Sequence, residues 1–154
     1  MLKKIFFIIL SFNLLSHCDY KPVYLNKDEI NYKVVIMSFN GDKIINNFIA
    51  ANLKKSSKES SKEILKISFD SKYTKSILAK NAAGKITDYQ TKALVSFEVI
   101  KGDDLENFKI SEKFNFQKIN DKYEEKNYEQ NIKRNLANSI SQKLILRLAM
   151  IKWF

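Results

Sequence analysis

Histidine and cysteine each occur once in this 154-residue chain, as His17 and Cys18, and proline once, as Pro22. A lone cysteine cannot close an internal disulfide. Beyond residue 18 the chain has neither an imidazole nor a thiol. That excludes zinc sites built on these ligands, Cys-His and Ser-His-Asp nucleophiles, and imidazole general bases. Only carboxylate, lysine or tyrosine chemistry stays open, and no paired acids stand out. Arginine is nearly missing too: Arg134 and Arg147 are the only two among 27 basic residues. Bidentate recognition of phosphate or guanine is therefore poorly supplied, and lysine acts as a point charge. The apolar run over residues 5–15 falls well short of the roughly twenty residues a helix needs to cross a bilayer.

What is present gives that run another meaning. Lys3 and Lys4 precede it, and Leu15-Ser16-His17-Cys18 follows, the layout of a bacterial lipoprotein signal with Cys18 at the processing site. The expectation is a signal peptide over 1–17, acylation (palmitate among the chains) at Cys18, and a tether over 18–31. His17 departs from the small residue usual before the cysteine, and a signal cut elsewhere would leave Cys18 a bystander. Acyl chains contribute about 0.8 kcal/mol per buried methylene, so two or more anchor a protein stably. Asp19 resembles an inner-membrane retention signal of some bacteria and weighs against an outer-membrane location.

Removing the signal leaves 137 residues, enough for one domain with a single core. The formal net charge of +10 fits an anionic partner such as anionic lipid or phosphorylated glycolipid. Lysine, asparagine and isoleucine richness also fits AT-rich coding. Export from the cytoplasm argues against nucleic acid.

Residues 32–39 form an apolar, β-branched run and read as a buried strand. Asn40-Gly41-Asp42 makes a turn and helix start, and Ile45, Phe48, Ile49 and Leu53 predict an amphipathic helix over 42–55. Residues 54–62 read as a solvated loop. Leu65, Ile67, Phe69 and Tyr73 alternate with polar residues. Tyr89, Ala93, Val95, Phe97 and Val99 do so against Gln90, Lys92, Ser96 and Glu98. Phe108, Ile110, Phe114 and Phe116 mark a fourth strand. The loop 81–85 and the turn at Gly102-Asp103-Asp104 connect these strands. Glu112 lands on the inner face of the fourth strand, which predicts a bulge or a wet edge there. Tyr89 reads as a core residue. Ile132, Leu136, Ile140, Leu144, Leu148 and Ile151 predict a closing helix over about 122–153, ending near Trp153 and Phe154. The order βαβββα gives an α+β, two-layer α/β sandwich: a four-stranded, mostly antiparallel sheet with two helices on one face, one domain over 32–154.

Several stretches resemble the lipopolysaccharide-assembly lipoprotein family LptE. Cys18-Asp19-Tyr20-Lys21-Pro22-Val23-Tyr24 is similar to that family's Cys-Gly-Phe-Arg-Pro-Leu-Tyr opening, with Asp19 in place of glycine. Gly84-Lys85-Ile86-Thr87-Asp88-Tyr89-Gln90 resembles its entry into the third strand, and residues 138–148 its closing helix. The resemblance implies a non-enzymatic outer-membrane lipoprotein on the periplasmic side, without cofactor or metal. It would plug an LptD-type outer-membrane β-barrel and bind lipopolysaccharide. The family's basic residue ahead of the Gly84 turn falls on Ala82 here, leaving Lys80 and Lys85 as flanking substitutes. A second family lysine falls on Lys126. The alternatives are a subunit of another envelope lipid or solute transport system, possible also at the inner membrane, and a two-carboxylate envelope hydrolase.

Overall fold

Asp42 sets where the first helix begins. Its carboxylate accepts from the amides of Ile44 and Ile45 at 3.0 and 3.1 Å, the geometry of an N-cap. In the computed structural model, which describes residues 30–151, that cap joins strand β1 (Lys33–Gly41) to helix α1 (Lys43–Ser56). Then come β2 (Ile64–Lys80), β3 (Ile86–Lys101), β4 (Asp104–Gln117) and helix α2 (Lys122–Met150). The signal segment, Cys18, most of the tether, Trp153 and Phe154 lie outside the described residues.

The sheet order is β1-β2-β3-β4. Because α1 carries the chain back over the sheet, β1 and β2 run parallel; the hairpins β2–β3 and β3–β4 are antiparallel. The expected βαβββα sandwich is therefore the observed one. Gly102, at φ +58, opens the two-residue β3–β4 turn, where a positive φ at the first central position suits the twist of the flanking strands.

One face of the sheet is dry. Leu65, Ile67 and Phe69 of β2, Val95, Phe97 and Val99 of β3, and Phe108 and Ile110 of β4 are buried on it. Phe39, Phe69, Phe97 and Phe108 form a row of rings across all four strands, with centroids 5.5, 5.7 and 5.7 Å apart; the first pair is stacked and the other two are tilted. Ile45, Ile49 and Leu53 of α1 and Ile132, Leu136, Ile140, Leu144 and Leu148 of α2 close the core. Their three- and four-residue spacing is the stripe a helix needs to face a sheet.

Two strand expectations change. β1 is not a buried strand: it forms one edge of the sheet, none of its residues is fully buried, and a bulge turns Met37 outward, 59% exposed. Its apolar composition serves one-sided packing of Val34 and Ile36 against the core. In β4 there is no bulge at Glu112, since pairing with β3 runs unbroken from Asp88↔Gln117 to Lys101↔Asp104. Glu112 stays on the inner face opposite Ala93, where an ion pair with Lys143 of α2 balances its charge while its Oε1 makes no hydrogen bond. β4 is the other edge strand of the sheet, and the Glu112 side chain there is 19% exposed.

Candidate functional site: a lysine-lined cleft at the hairpin end

β1 stops at Gly41, paired with Ser71, while β2 runs on to Lys80. The three antiparallel strands thus overhang β1, and only the first turns of α2 cover their dry face. The inward alternation of β2 continues past Tyr73 to Lys75, beyond the reach of the apolar core. Lys75 Nζ lies 3.0 Å from Glu129 Oε2 and pairs also with Glu125. Its ammonium sits 4.4 Å from the Tyr89 ring centre and 5.2 Å from that of Phe116. Burial alone would lower the Lys75 pKa, but hydrogen bonds to Glu125 and Glu129 carry it above its ordinary value. Burial, and after it the Glu129 carboxylate, pushes the neighbouring Tyr73 phenol well above its own.

Beside this network opens a cleft of about 570 Å³. Ile44, Tyr89 and Ile119 give it apolar surface, Lys118, Lys122, Lys126 and Lys133 its positive charge, and Glu125 and Glu129 its negative charge. Lys133 is committed to Asp42 at 2.7 Å, and both glutamates to Lys75. Lys118, Lys122 and Lys126 form no ion pair among the described residues, so the uncompensated charge of the cleft is positive. A second depression of about 420 Å³ adjoins it, lined by Asn81, Lys85, Thr87, Asp88 and Gln117 and sharing Lys118 and Asn120 with the first. The amide of Lys118 donates to Thr87 O at 2.7 Å, which ties the β4–α2 connection to the hairpin.

The structure therefore brings Lys85 and Lys126, 41 positions apart in sequence, into adjoining depressions. Lys80, the last residue of β2, is exposed at the same end and lines neither. Ala82 is exposed in the loop. Tyr89 faces the dry side as expected but is only partly buried: it packs on Phe116 at 5.6 Å and forms cleft wall. Sequence reasoning missed Lys118 and Lys122, and also the Lys75–Glu125–Glu129 cluster beneath them. The signal for the cluster was available: Lys75 occupies an inward position of β2, and Glu125 and Glu129 stand four residues apart on one helix face.

No family model matches the chain, and no curated protein matches it. Solved structures do. The rare lipoprotein B from Shewanella oneidensis superposes with a TM-score of 0.51 at 15% identity, over 73% of this chain and 94% of that one. The minor lipoprotein from Acinetobacter baumannii gives 0.52 at 15% identity, over 77% and 96%. At such identities the likeness is one of fold: the chain has the α+β architecture of these lipoproteins.

Proposed function

We propose that this chain is a lipid-anchored envelope protein of the lipopolysaccharide translocon. In this reading it is attached through Cys18 to the periplasmic side of the outer membrane, engages an LptD-type barrel and binds lipopolysaccharide at the lysine-lined end. The observation that carries the reading is the convergence of Lys85 and Lys126, with Lys118 and Lys122, around a cleft that also offers Ile44, Ile119 and Tyr89. Phosphates on an acylated sugar need positive charge next to apolar surface. A phosphate about 4 Å from one ammonium gains about 1 kcal/mol in bulk water and about 4 kcal/mol near a partly desolvated surface.

The placement of the first described residues is compatible with the same reading. Ile30 pairs with Ser57, and Lys33 with Ile64 at the head of β2. The cleft lies toward the far end of β2, whose 17 residues span roughly 55 Å. The described domain is thus entered at the end opposite the lysines.

The test is binding of purified lipopolysaccharide to the full chain. Lys126→Glu should weaken it more than Lys54→Glu, a change on an exposed α1 position outside both depressions. Equal losses would mean that only diffuse charge matters. Co-purification with a large outer-membrane barrel in detergent tests the partner. Asp19 favours a second reading, an inner-membrane lipoprotein of another envelope transport system, and membrane fractionation separates the two.

A further inference from the structure

The solvent face of the sheet carries a charge arrangement that the cleft does not use. On this face Lys92 of β3 stands directly opposite Lys113 of β4. Lys72 pairs with Leu94 and is therefore the diagonal neighbour of Lys92; Lys109, opposite Ser96, extends the group along β4. Directly opposed side chains stand about 5 Å apart at Cβ, diagonal ones about 7–8 Å. Like charges in direct opposition cost a sheet stability. Yet none of these four lysines has an ion-pair partner among the described residues, while five other lysines do. Of the acids on this face, Asp70 and Glu98 border the group beside Ser96, and Asp88 lies beyond Gln90 toward the hairpin end, but among the described residues none forms an ion pair with the four lysines. Both helices lie on the opposite side, so no described element covers the stripe.

We infer that this stripe is a docking surface for an acidic protein wall. Its own chemistry selects that occupant over a lipid. The positions between and beside the lysines are short hydrogen-bonding side chains on rigid strands: Thr74, Ser96, Ser111 and Asn115. Such a lattice suits directional contacts with aspartate and glutamate side chains at fixed spacing. Acyl chains would need an apolar recess, and Leu94 alone offers no such recess. The inference deepens the partner half of the proposed function and rests on it for the existence of a protein partner. The cleft at the hairpin end remains free for ligand.

The experiment places p-benzoylphenylalanine at Ser111 of the full-length chain in living cells, with Asn138 on α2 as the comparison site. The same chain is then tested with Lys72→Glu and Lys113→Glu together. These changes give Lys92 two acidic neighbours, so the free protein should keep its Tm or gain roughly 1–3 °C, which separates lost docking from lost folding. Lys54→Glu with Lys58→Glu is the charge-matched control. Cross-linking from Ser111 to a segment of one membrane protein rich in Asp and Glu is expected. It should fall at least about tenfold in the stripe variant, a change of about 1.4 kcal/mol, and stay within twofold in the control. No cross-link from Ser111, cross-links to lipid only, or an equal fall in the control would overturn the inference. If the acidic partner found is not an outer-membrane barrel, the docking surface stands and the translocon reading fails.

Discussion

Lys133 Nζ stands 2.7 Å from Asp42 Oδ2, and both side chains are more than four-fifths buried. One contact thereby joins the middle of α2 to the cap of α1, 91 positions away. Burial would raise the Asp42 pKa, but the bonds from Lys133, Ile45 and Ile44 outweigh it and hold the carboxyl below its ordinary 3.8. A carboxyl lowered in the folded state contributes stability that is complete above its unfolded value and disappears as pH falls through the folded one. Lys133→Met should therefore cost about 1–3 kcal/mol at neutral pH. The deficit relative to the native chain should shrink below about pH 4, as urea titrations at two pH values would show.

The first ten residues of α2 bury no side chain fully; burial begins at Ile132. Lys75, with Glu125 and Glu129, is what fastens that segment to the sheet, helped by Tyr128 against Phe116 at 5.7 Å. Lys75→Met should speed amide exchange over residues 122–131 by about tenfold or more while leaving 132–148 near native rates. A loss confined to one segment is the signature of sub-global opening. Because the Lys75 pKa is raised in the folded state, its contribution is complete below 10.5 and is lost only as pH climbs through the higher folded value. The native segment should therefore loosen in strong alkali, where the variant already is loose. Uniform acceleration across the core would show that the cluster supports the whole fold instead.

How far the sequence could be read depended on how local the cause was. Both helices and three of the strands follow from periodicity, because Ile45, Ile49 and Leu53, or Val95, Phe97 and Val99, signal their faces within a few residues. The edge position of β1 could not be read this way, since parallel pairing across α1 is a relation between distant segments. Glu112 illustrates the same limit. An acid on a dry face implies a local irregularity, and the actual solution is Lys143, brought in from α2. At the candidate site, Lys85 and Lys126 were individually visible as lysines of particular stretches. That Lys118 bridges their two depressions is a fact of tertiary structure.

Gly41 lies hard against the backbone of β2. Its φ is +100, and a Cβ there would lie 1.8 Å from Ser71 O. The obstacle is backbone, and the Asp42 amide donates to that same carbonyl at 3.2 Å, so neither side can yield without breaking the entry to α1. Gly41→Ala should cost about 3 kcal/mol or more. Gly84, at φ +75 with open space where a Cβ would sit, pays only for its backbone conformation, about 1–2 kcal/mol on change to alanine. Thermal unfolding of the two variants side by side decides this, and equal losses would refute the steric account.

Asn81 holds the loop that carries Lys85. Its Oδ1 accepts from the amides of Ala83 and Lys85, both at 3.0 Å, and its backbone N–H donates to Lys85 O at 2.9 Å. An asparagine side chain that binds backbone two residues onward stabilises a turn without neighbouring structure. Asn81→Ala removes both side-chain bonds, but water can solvate the freed amides because the loop is exposed. The stability cost should therefore stay near 1 kcal/mol. The larger effect falls on position: the Lys85 amide should exchange several-fold faster. Under the proposed function, lipopolysaccharide affinity should drop toward, but not beyond, that of Lys85→Glu. Asn81→Asp keeps the acceptor oxygen and should restore slow exchange at Lys85. Slow exchange at Lys85 in the alanine variant would mean that the backbone bonds alone, with Gly84 N donating to Asn81 O at 2.9 Å, suffice to set the lysine.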